Sequence, residues 1–164
     1  MILPVFCMIA ILSACHRQDQ PDLQRWQTTN SVFNIRIVER QEKRFPLSRF
    51  CYYFQSTAKD SDQWHEAMTE CTDDDISIPH DQVRFINGQM AYVFMVYKYA
   101  ITTDGGNSWT VWDVNDAGNK YSRQLFIKEA DVSVDGSGTL ILASRSDVTQ
   151  TTRLHTTDFG HSWK

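Results

Sequence analysis

The sequence lacks the compositional biases that define several classes of protein. Its 164 residues include only 7 glycines and 4 prolines, too few for a collagen-like or low-complexity disordered chain. Basic residues are not in excess, because 16 Lys and Arg face 20 Asp and Glu and the formal net charge is −4. A nucleic-acid-binding protein is therefore not expected, since such proteins present positive charge to the phosphates. The length suits a single domain.

Patterns that bring catalytic or ligand-binding groups together are also missing. The sequence has no Gly-x-Ser-x-Gly segment, which would expose a serine nucleophile, and no glycine-rich phosphate loop. It has no Cys-x-x-Cys pair, and its five histidines do not follow the spacing of metal ligands. We therefore expect a protein that is not an enzyme and that holds neither a metal ion nor a cofactor.

The longest apolar stretch is short and stands at the start of the sequence. Residues 1–14 (MILPVFCMIAILSA) carry no charge, but a membrane-spanning helix needs about 20 residues. A short apolar run that ends in small residues is typical of a secretory signal peptide. The segment Leu12-Ser13-Ala14-Cys15 resembles a bacterial lipobox, in which the cysteine is lipidated.

The lipobox resemblance implies a subcellular location and a domain organisation. Acyl chains on Cys15 would anchor the protein, because each buried CH₂ contributes ~0.8 kcal/mol. His16 stands where lipoproteins retained in the inner membrane carry Asp, which implies the outer membrane of a Gram-negative bacterium, facing the periplasm. Residues 15–25 would then be the lipidated cysteine and a polar tether, and residues 26–164 a single β domain.

The remaining cysteines suit an oxidising compartment. Once Cys7 and Cys15 are assigned to the signal peptide and the lipid, Cys51 and Cys71 form an even pair, for which a disulfide is the natural assignment. Two free thiols or half of a metal site are the alternatives. A disulfide here would stabilise the fold by about 3 kcal/mol on the chain-entropy model.

Two segments are near copies of each other. Residues 102–109 (TTDGGNSW) and 156–163 (TTDFGHSW) share six residues at the same spacing. Both resemble the Asp-box, or bacterial neuraminidase repeat, a hairpin turn of β-propellers and related β folds. The Asp accepts hydrogen bonds from its own turn, the Gly supplies a positive φ, and the Trp packs beneath the turn. These structural roles are expected for Thr102, Asp104, Gly106, Trp109, Thr156, Asp158, Gly160 and Trp163.

The flanking sequence predicts strands that form blade-like sheets. Asn87-Gly88 is a strong two-residue hairpin signal, and the two copies lie 54 residues apart, which suits β-meanders of about 40–50 residues. We expect an all-β fold of antiparallel blade-like β-meanders with little helix, as an incomplete propeller or two packed sheets. Strands are predicted at residues 33–37, 50–55, 83–86, 90–96, 97–102, 109–114, 130–134, 139–144 and 151–156.

Two segments remain open to more than one prediction. Residues 57–64 resemble a degenerate third copy of the turn, but residues 57–70 are also compatible with a long loop or a short helix, which we favour slightly. Residues 121–130 are compatible with one or two helical turns or with an edge strand.

Two groups of residues are candidates for contact with a partner. Asp73, Asp74 and Asp75 form the densest acidic cluster and lack the glycine and alternating ligands of a calcium loop. They form either a solvated loop or an electrostatic contact with a basic surface. Tyr97 and Tyr99 lie at the end of an aromatic-rich strand, residues 92–99, that is expected to be core on one face. They are candidate exposed anchors, although a place in the core is favoured.

A small lipoprotein with one cysteine pair and a TTDGGNSW turn resembles the immunity lipoproteins of type VI secretion lipase effectors. The resemblance implies a periplasmic β domain that binds a cognate toxin, a phospholipase, in a 1:1 complex and neutralises it. Contact with the membrane would be through the lipid anchor only. The alternative is a non-catalytic glycan-binding or envelope-assembly module of the Asp-box type.

Overall fold

The computed structural model of the chain describes residues 22–44, 47–116 and 124–164. The predicted signal peptide and Cys15 lie outside these residues. This part of the chain forms strands joined by turns, with one 3-10 turn at His80–Gln82. The strands are β1 (Leu23–Thr29), β2 (Phe33–Arg44), β3 (Leu47–Ala58), β4 (His65–Thr72), β5 (Val83–Phe85), β6 (Ala91–Met95), β7 (Lys98–Thr102), β8 (Thr110–Asp113), β9 (Leu125–Val132), β10 (Gly138–Ser144) and β11 (Thr151–Thr156).

The described strands form three antiparallel meanders, so the predicted all-β fold is confirmed. Sheet 1 has the order β1-β2-β3-β4, sheet 2 has the order β5-β6-β7-β8, and sheet 3 has the order β11-β10-β9. Within each sheet every strand pairs with its neighbour in the sequence, as in a propeller blade. Among the described strands there are three blade-like meanders, whereas one of the predicted arrangements had two packed sheets.

Sheet 2 lies between the other two sheets and is buried on both faces. All five residues of β6 are buried. Ala91, Val93 and Met95 of β6 pack with sheet 1, whereas Tyr92 and Phe94 pack with sheet 3. Successive strand residues point to opposite faces, and an apolar run without alternation therefore fits this central position.

Residues 57–70 form a hairpin, so the favoured loop or short helix is wrong. β3 continues to Ala58, and β4 begins at His65 and pairs back along it. Ala67 and Met68 are buried in the core between sheets 1 and 2, and this burial outweighs the local helix-start signal. The cysteine prediction is confirmed, because Cys51 and Cys71 are directly opposite in this hairpin and form a disulfide, with Cα atoms 4.1 Å apart.

Two other boundaries differ from the sequence prediction. β1 begins at Leu23, which pairs with Glu39, so the β domain begins before residue 26, inside the segment predicted as tether. The open segment at residues 121–130 contains the start of β9, an edge strand of sheet 3 that begins at Leu125. Residues 121–123 lie outside the described part of the chain.

Candidate partner-binding surface

The two near-copies fold into the same strand-turn corner. We call residues 102–109 corner 2 and residues 156–163 corner 3. In corner 2, Asp104 accepts hydrogen bonds from the backbone N of Ser108 at 3.0 Å and from the Thr102 hydroxyl at 2.8 Å. In corner 3, Asp158 accepts the equivalent bonds from Ser162 at 3.0 Å and from Thr156 at 2.6 Å.

Glycine and threonine complete each corner as the sequence predicts. Gly106 and Gly160 have φ of 84° and 82°, a region in which a Cβ is disfavoured. The N–H of Gly106 donates to the Thr102 hydroxyl at 3.0 Å, and that of Gly160 donates to Thr156 at 2.9 Å. The two Asp residues are thereby occupied in holding their turns.

The corners also fasten neighbouring sheets to each other. Ser56 of sheet 1 donates to the carbonyl of Gly106 at 2.6 Å and accepts from Trp109 Nε1 at 2.9 Å. Corner 3 meets sheet 2 in a similar way, because the Tyr99 hydroxyl donates to the carbonyl of Phe159 at 3.2 Å. The tryptophan of corner 3, 7% exposed, packs edge-on against the same tyrosine with ring centroids 5.3 Å apart.

Hydrogen bonds make corner 3 sensitive to acid. Bonds from Ser162 and Thr156 lower the pKa of Asp158 to about 2, against roughly 3.9 in an unfolded chain. A lowered pKa means that the stabilisation is complete above pH ~4 and is lost as the pH falls through about 2.

We predict that Asp158→Asn lowers the free energy of unfolding by about 1 kcal/mol at pH 7, because bonds to a charged acceptor become bonds to a neutral one. The difference from the native protein should shrink as the pH falls from about 4 towards 2. Urea unfolding of the variant and of the native protein at a series of pH values measures this difference in stability. A difference that stays constant over this range would contradict the assignment.

A third corner occupies the equivalent place in sheet 1. Corner 1, residues 57–64, joins β3 to β4, as corner 2 joins β7 to β8. Its bonds differ, since the Thr57 hydroxyl donates to the carbonyl of Ser61 at 2.9 Å and residue 59 is Lys. The guanidinium of Arg36 lies 3.9 Å from the centre of the Trp64 ring. The degenerate copy is thus a hairpin that is closed by other contacts.

The acidic cluster forms a loop that is fixed at both of its ends. It follows β4 directly after the disulfide at Cys71. At its other end Asp75 accepts from Arg25 at 2.7 Å and from the Tyr52 hydroxyl at 3.0 Å. Asp73 and Asp74 are exposed. The loop therefore presents two carboxylates, while the third holds it on sheet 1.

The two candidate tyrosines have different positions. Tyr99 is fully buried, so its prediction as an exposed anchor is wrong. It lies on the face of sheet 2 that corner 3 covers, a contact across 60 residues of sequence that a local pattern does not reveal. Tyr97 is half-buried in the β6–β7 turn, with the guanidinium of Arg145 5.2 Å from its ring centre.

Tyr97 and the acidic loop lie at the same end of the molecule. Corners 1 and 2 lie side by side, as the bond between Trp109 and Ser56 shows. The acidic loop follows the end of β4 that is remote from corner 1, and Tyr97 lies at the end of sheet 2 that is remote from corner 2. We call this the hairpin end. The hairpin end carries the accessible residues among those predicted to bind a partner, which are Tyr97 and the acidic loop.

Sequence reasoning did not predict a polar cleft between sheets 2 and 3. It has a volume of about 520 Å³ and is lined by charged residues of β5, β9 and β11, with Phe94 and Ile141 also in its lining. Arg84 and Asp131 face each other across it at 3.6 Å. The lining comes from strands that are far apart in sequence, so no local signal could have revealed it.

In the part of the chain that the structure describes, no group of three His, Cys, Asp or Glu side chains could hold a metal ion. Within the same residues no helix has the length and hydrophobicity needed to cross a bilayer. In comparisons with known proteins, no family model, no curated protein and no solved structure matches this chain.

Proposed function

We propose that this chain is a lipid-anchored periplasmic immunity protein that binds a secreted antibacterial toxin in a 1:1 complex and neutralises it. The lipobox-like segment that ends at Cys15 and the type VI secretion resemblance support an outer-membrane location and a phospholipase effector as the toxin. The observation that carries the binding role is the acidic loop, which the disulfide, Arg25 and Tyr52 hold in place.

A loop fixed before binding favours a tight complex. Ordering a mobile loop and its side chains opposes association, and a loop that is already ordered avoids this cost. The exposed carboxylates of Asp73 and Asp74 would attract a basic toxin surface and raise the association rate. Tyr97, at the same end, would add an aromatic contact of the kind that is enriched in binding hot spots.

We predict that Asp73→Lys combined with Asp74→Lys slows association with the toxin by about tenfold at low salt, because charge steering is reversed. The matched control is Asp60→Lys with Asp62→Lys, an exposed pair in corner 1 at the opposite end. The control should change the rate by less than about twofold. Stopped-flow or surface-plasmon measurements of the rate constants test both variants.

The product of the neighbouring gene is the candidate toxin for this measurement. Co-expression and pull-down should recover a 1:1 complex, and the full chain should protect cells against that product. If the product is not toxic and does not bind, the proposal is refuted. If it binds and both double variants associate at the native rate, the acidic loop is not the contact.

A second candidate function is suggested by the cleft between sheets 2 and 3. The arginine, aspartate and threonine side chains that line it offer hydrogen-bond donors and acceptors to sugar hydroxyl groups, which supports a non-catalytic glycan-binding module. If the full chain binds a soluble envelope glycan and does not bind the toxin, this second function is favoured over the first.

A further inference from the structure

The two-residue turn between β6 and β7 carries Tyr97 and is held by the sheets on both sides of its own. From sheet 3, Ile127 N donates to the carbonyl of Val96 at 2.6 Å. Towards sheet 1, Lys98 at the start of β7 donates from Nζ to the carbonyl of Thr69 at 2.7 Å. The position of Tyr97 at the hairpin end therefore depends on contacts with both neighbouring sheets.

The backbone of this turn is strained. Val96 has φ of 46°, at the first position of a two-residue turn, where glycine, asparagine or aspartate is usual. A β-branched residue in this region is an outlier. Such a conformation persists only where surrounding contacts impose it, and it is common in segments that change conformation. A loss of the surrounding contacts would therefore let this turn relax.

One of these contacts depends on a buried carboxylate. Glu70 of β4 is 8% exposed, and its Oε2 has no hydrogen-bond partner in the described part of the chain. This oxygen lies 3.7 Å from Lys98 Nζ, so the two side chains form an ion pair that joins sheet 1 to the start of β7. An ammonium group at a poorly solvated site is destabilised when its counter-ion loses charge.

The surroundings of Glu70 favour uptake of a proton. The titratable groups that face it from the packed strands and the turn are, among the described residues, Tyr52 of β3, Lys98 of β7, Asp113 of β8 and Tyr97. Burial raises the pKa of Glu70 above its ordinary value, Lys98 opposes this effect and Asp113 adds to it. The carboxyl group therefore becomes neutral at a higher pH than an exposed glutamate does.

Lys98 has a second carboxylate within its own sheet. Asp113 is directly opposite Lys98 in the pairing of β7 with β8, and side chains of directly opposite residues lie on the same face. With Glu70 ionised, the ammonium group is drawn towards sheet 1. With Glu70 neutral, Asp113 is the carboxylate that still attracts it. The charge of Glu70 thus selects between two positions of the Lys98 side chain.

We propose that the Glu70–Lys98 pair positions Tyr97 and makes partner binding at the hairpin end depend on pH. Ionised Glu70 holds Lys98 on sheet 1 and keeps the turn at Val96 in its strained form. Protonation of Glu70 releases Lys98 to Asp113, the turn relaxes, and Tyr97 moves. The effect on toxin binding rests on the proposed function, whereas the movement of the turn does not.

Nuclear magnetic resonance of the full chain, titrated from about pH 8 to about pH 4, tests the movement. The signals of the Tyr97 ring and the Lys98 amide should shift with one midpoint, above the ordinary pKa of glutamate. In Glu70→Gln both signals should stay at their low-pH positions throughout. The matched control is Glu66→Gln, the same change at an exposed position of β4, which should keep the native titration.

The effect on binding is measured with the toxin at two pH values. The native chain and Glu66→Gln should bind at least about threefold more weakly at about pH 4.5 than at pH ~7, because less of the chain has Tyr97 in the binding position. Glu70→Gln should bind weakly at both. Equal pH dependence in Glu70→Gln and the native chain would show that the pair does not control binding.

Other results would overturn the movement itself. These are signals of Tyr97 and Lys98 that do not change with pH, and a Glu70→Gln chain that shows the native positions at neutral pH. If Glu70→Gln does not fold, Asp113→Asn carries the test. Removal of this like charge should lower the midpoint of the titration, and an unchanged midpoint would contradict the proposal.

The two proposals fail separately. If the toxin binds and the turn does not respond to Glu70, only the pH inference is refuted. If the turn responds to Glu70 and no toxin binds, only the proposed function is refuted.

Discussion

Replacing Gly160 with alanine is expected to lower the free energy of unfolding by about 2–5 kcal/mol. The residue has φ of 82°, and a side chain in this region costs roughly 1–2 kcal/mol. The added Cβ would also lie 2.5 Å from Tyr99 Cε1 and 2.8 Å from Trp163 Cζ2. Overpacking of a filled core costs about 1–3 kcal/mol, and these rings join sheet 3 to sheet 2.

Gly88 is the matched control for this substitution. The nearest atom to an added Cβ there is Val32 Cγ2 at 3.4 Å, an ordinary van der Waals distance. Gly88→Ala should therefore change stability by less than about 0.5 kcal/mol. Urea unfolding followed by tryptophan fluorescence compares the two variants with the native chain. Equal losses in both variants would show that corner 3 does not depend on its glycine.

Strands were predictable where a local pattern and a turn signal agree. Residues 151–156 were predicted as a strand and are β11, and Asn87-Gly88 lies in the connection between β5 and β6, which has five residues rather than the predicted two. The corners were predictable for the same reason, because the bonds that Asp104, Asp158 and their threonines make all lie within eight residues of sequence.

Predictions were weaker where distant pairing determines the structure. β2 runs from Phe33 to Arg44, whereas alternation predicted residues 33–37 only. The polar end of β2 remains extended because β3 pairs with it over its whole length. The start of β9 lies in the segment that the sequence left open between helical turns and an edge strand, and pairing of Leu125 and Phe126 with β10 makes it a strand.

The candidate surface was less predictable than the fold because exposure depends on which sheets stack. Tyr97 and Tyr99 look alike in sequence, yet the second is covered by corner 3. The acidic loop was found from its charge, but its anchoring by Arg25 and Tyr52 joins residues that are 50 and 23 positions apart from Asp75.

Removing the disulfide is expected to have a comparably large effect. The double variant Cys51→Ala and Cys71→Ala should lose about 3 kcal/mol of stability, because the bond closes a loop of about 20 residues in the unfolded chain. This is a large share of the roughly 5–15 kcal/mol that stabilises a typical domain. Urea unfolding of the variant measures the loss, and the native chain under reducing conditions should match it.

The same variant also tests whether the acidic loop depends on its covalent attachment. Asp73 follows Cys71 by two residues, so loss of the bond frees one end of the loop while Asp75 still holds the other. We expect amide exchange at Asp73 and Asp74 to quicken and binding of the toxin to weaken, since the loop must then be ordered on association. Asp75 at the opposite end is held by Arg25 and by the Tyr52 hydroxyl, so Arg25→Ala combined with Tyr52→Phe frees that end and provides the comparison. A stability loss below about 1 kcal/mol, or exchange unchanged in the disulfide variant, would show that the paired strands β3 and β4 hold the loop without the bond.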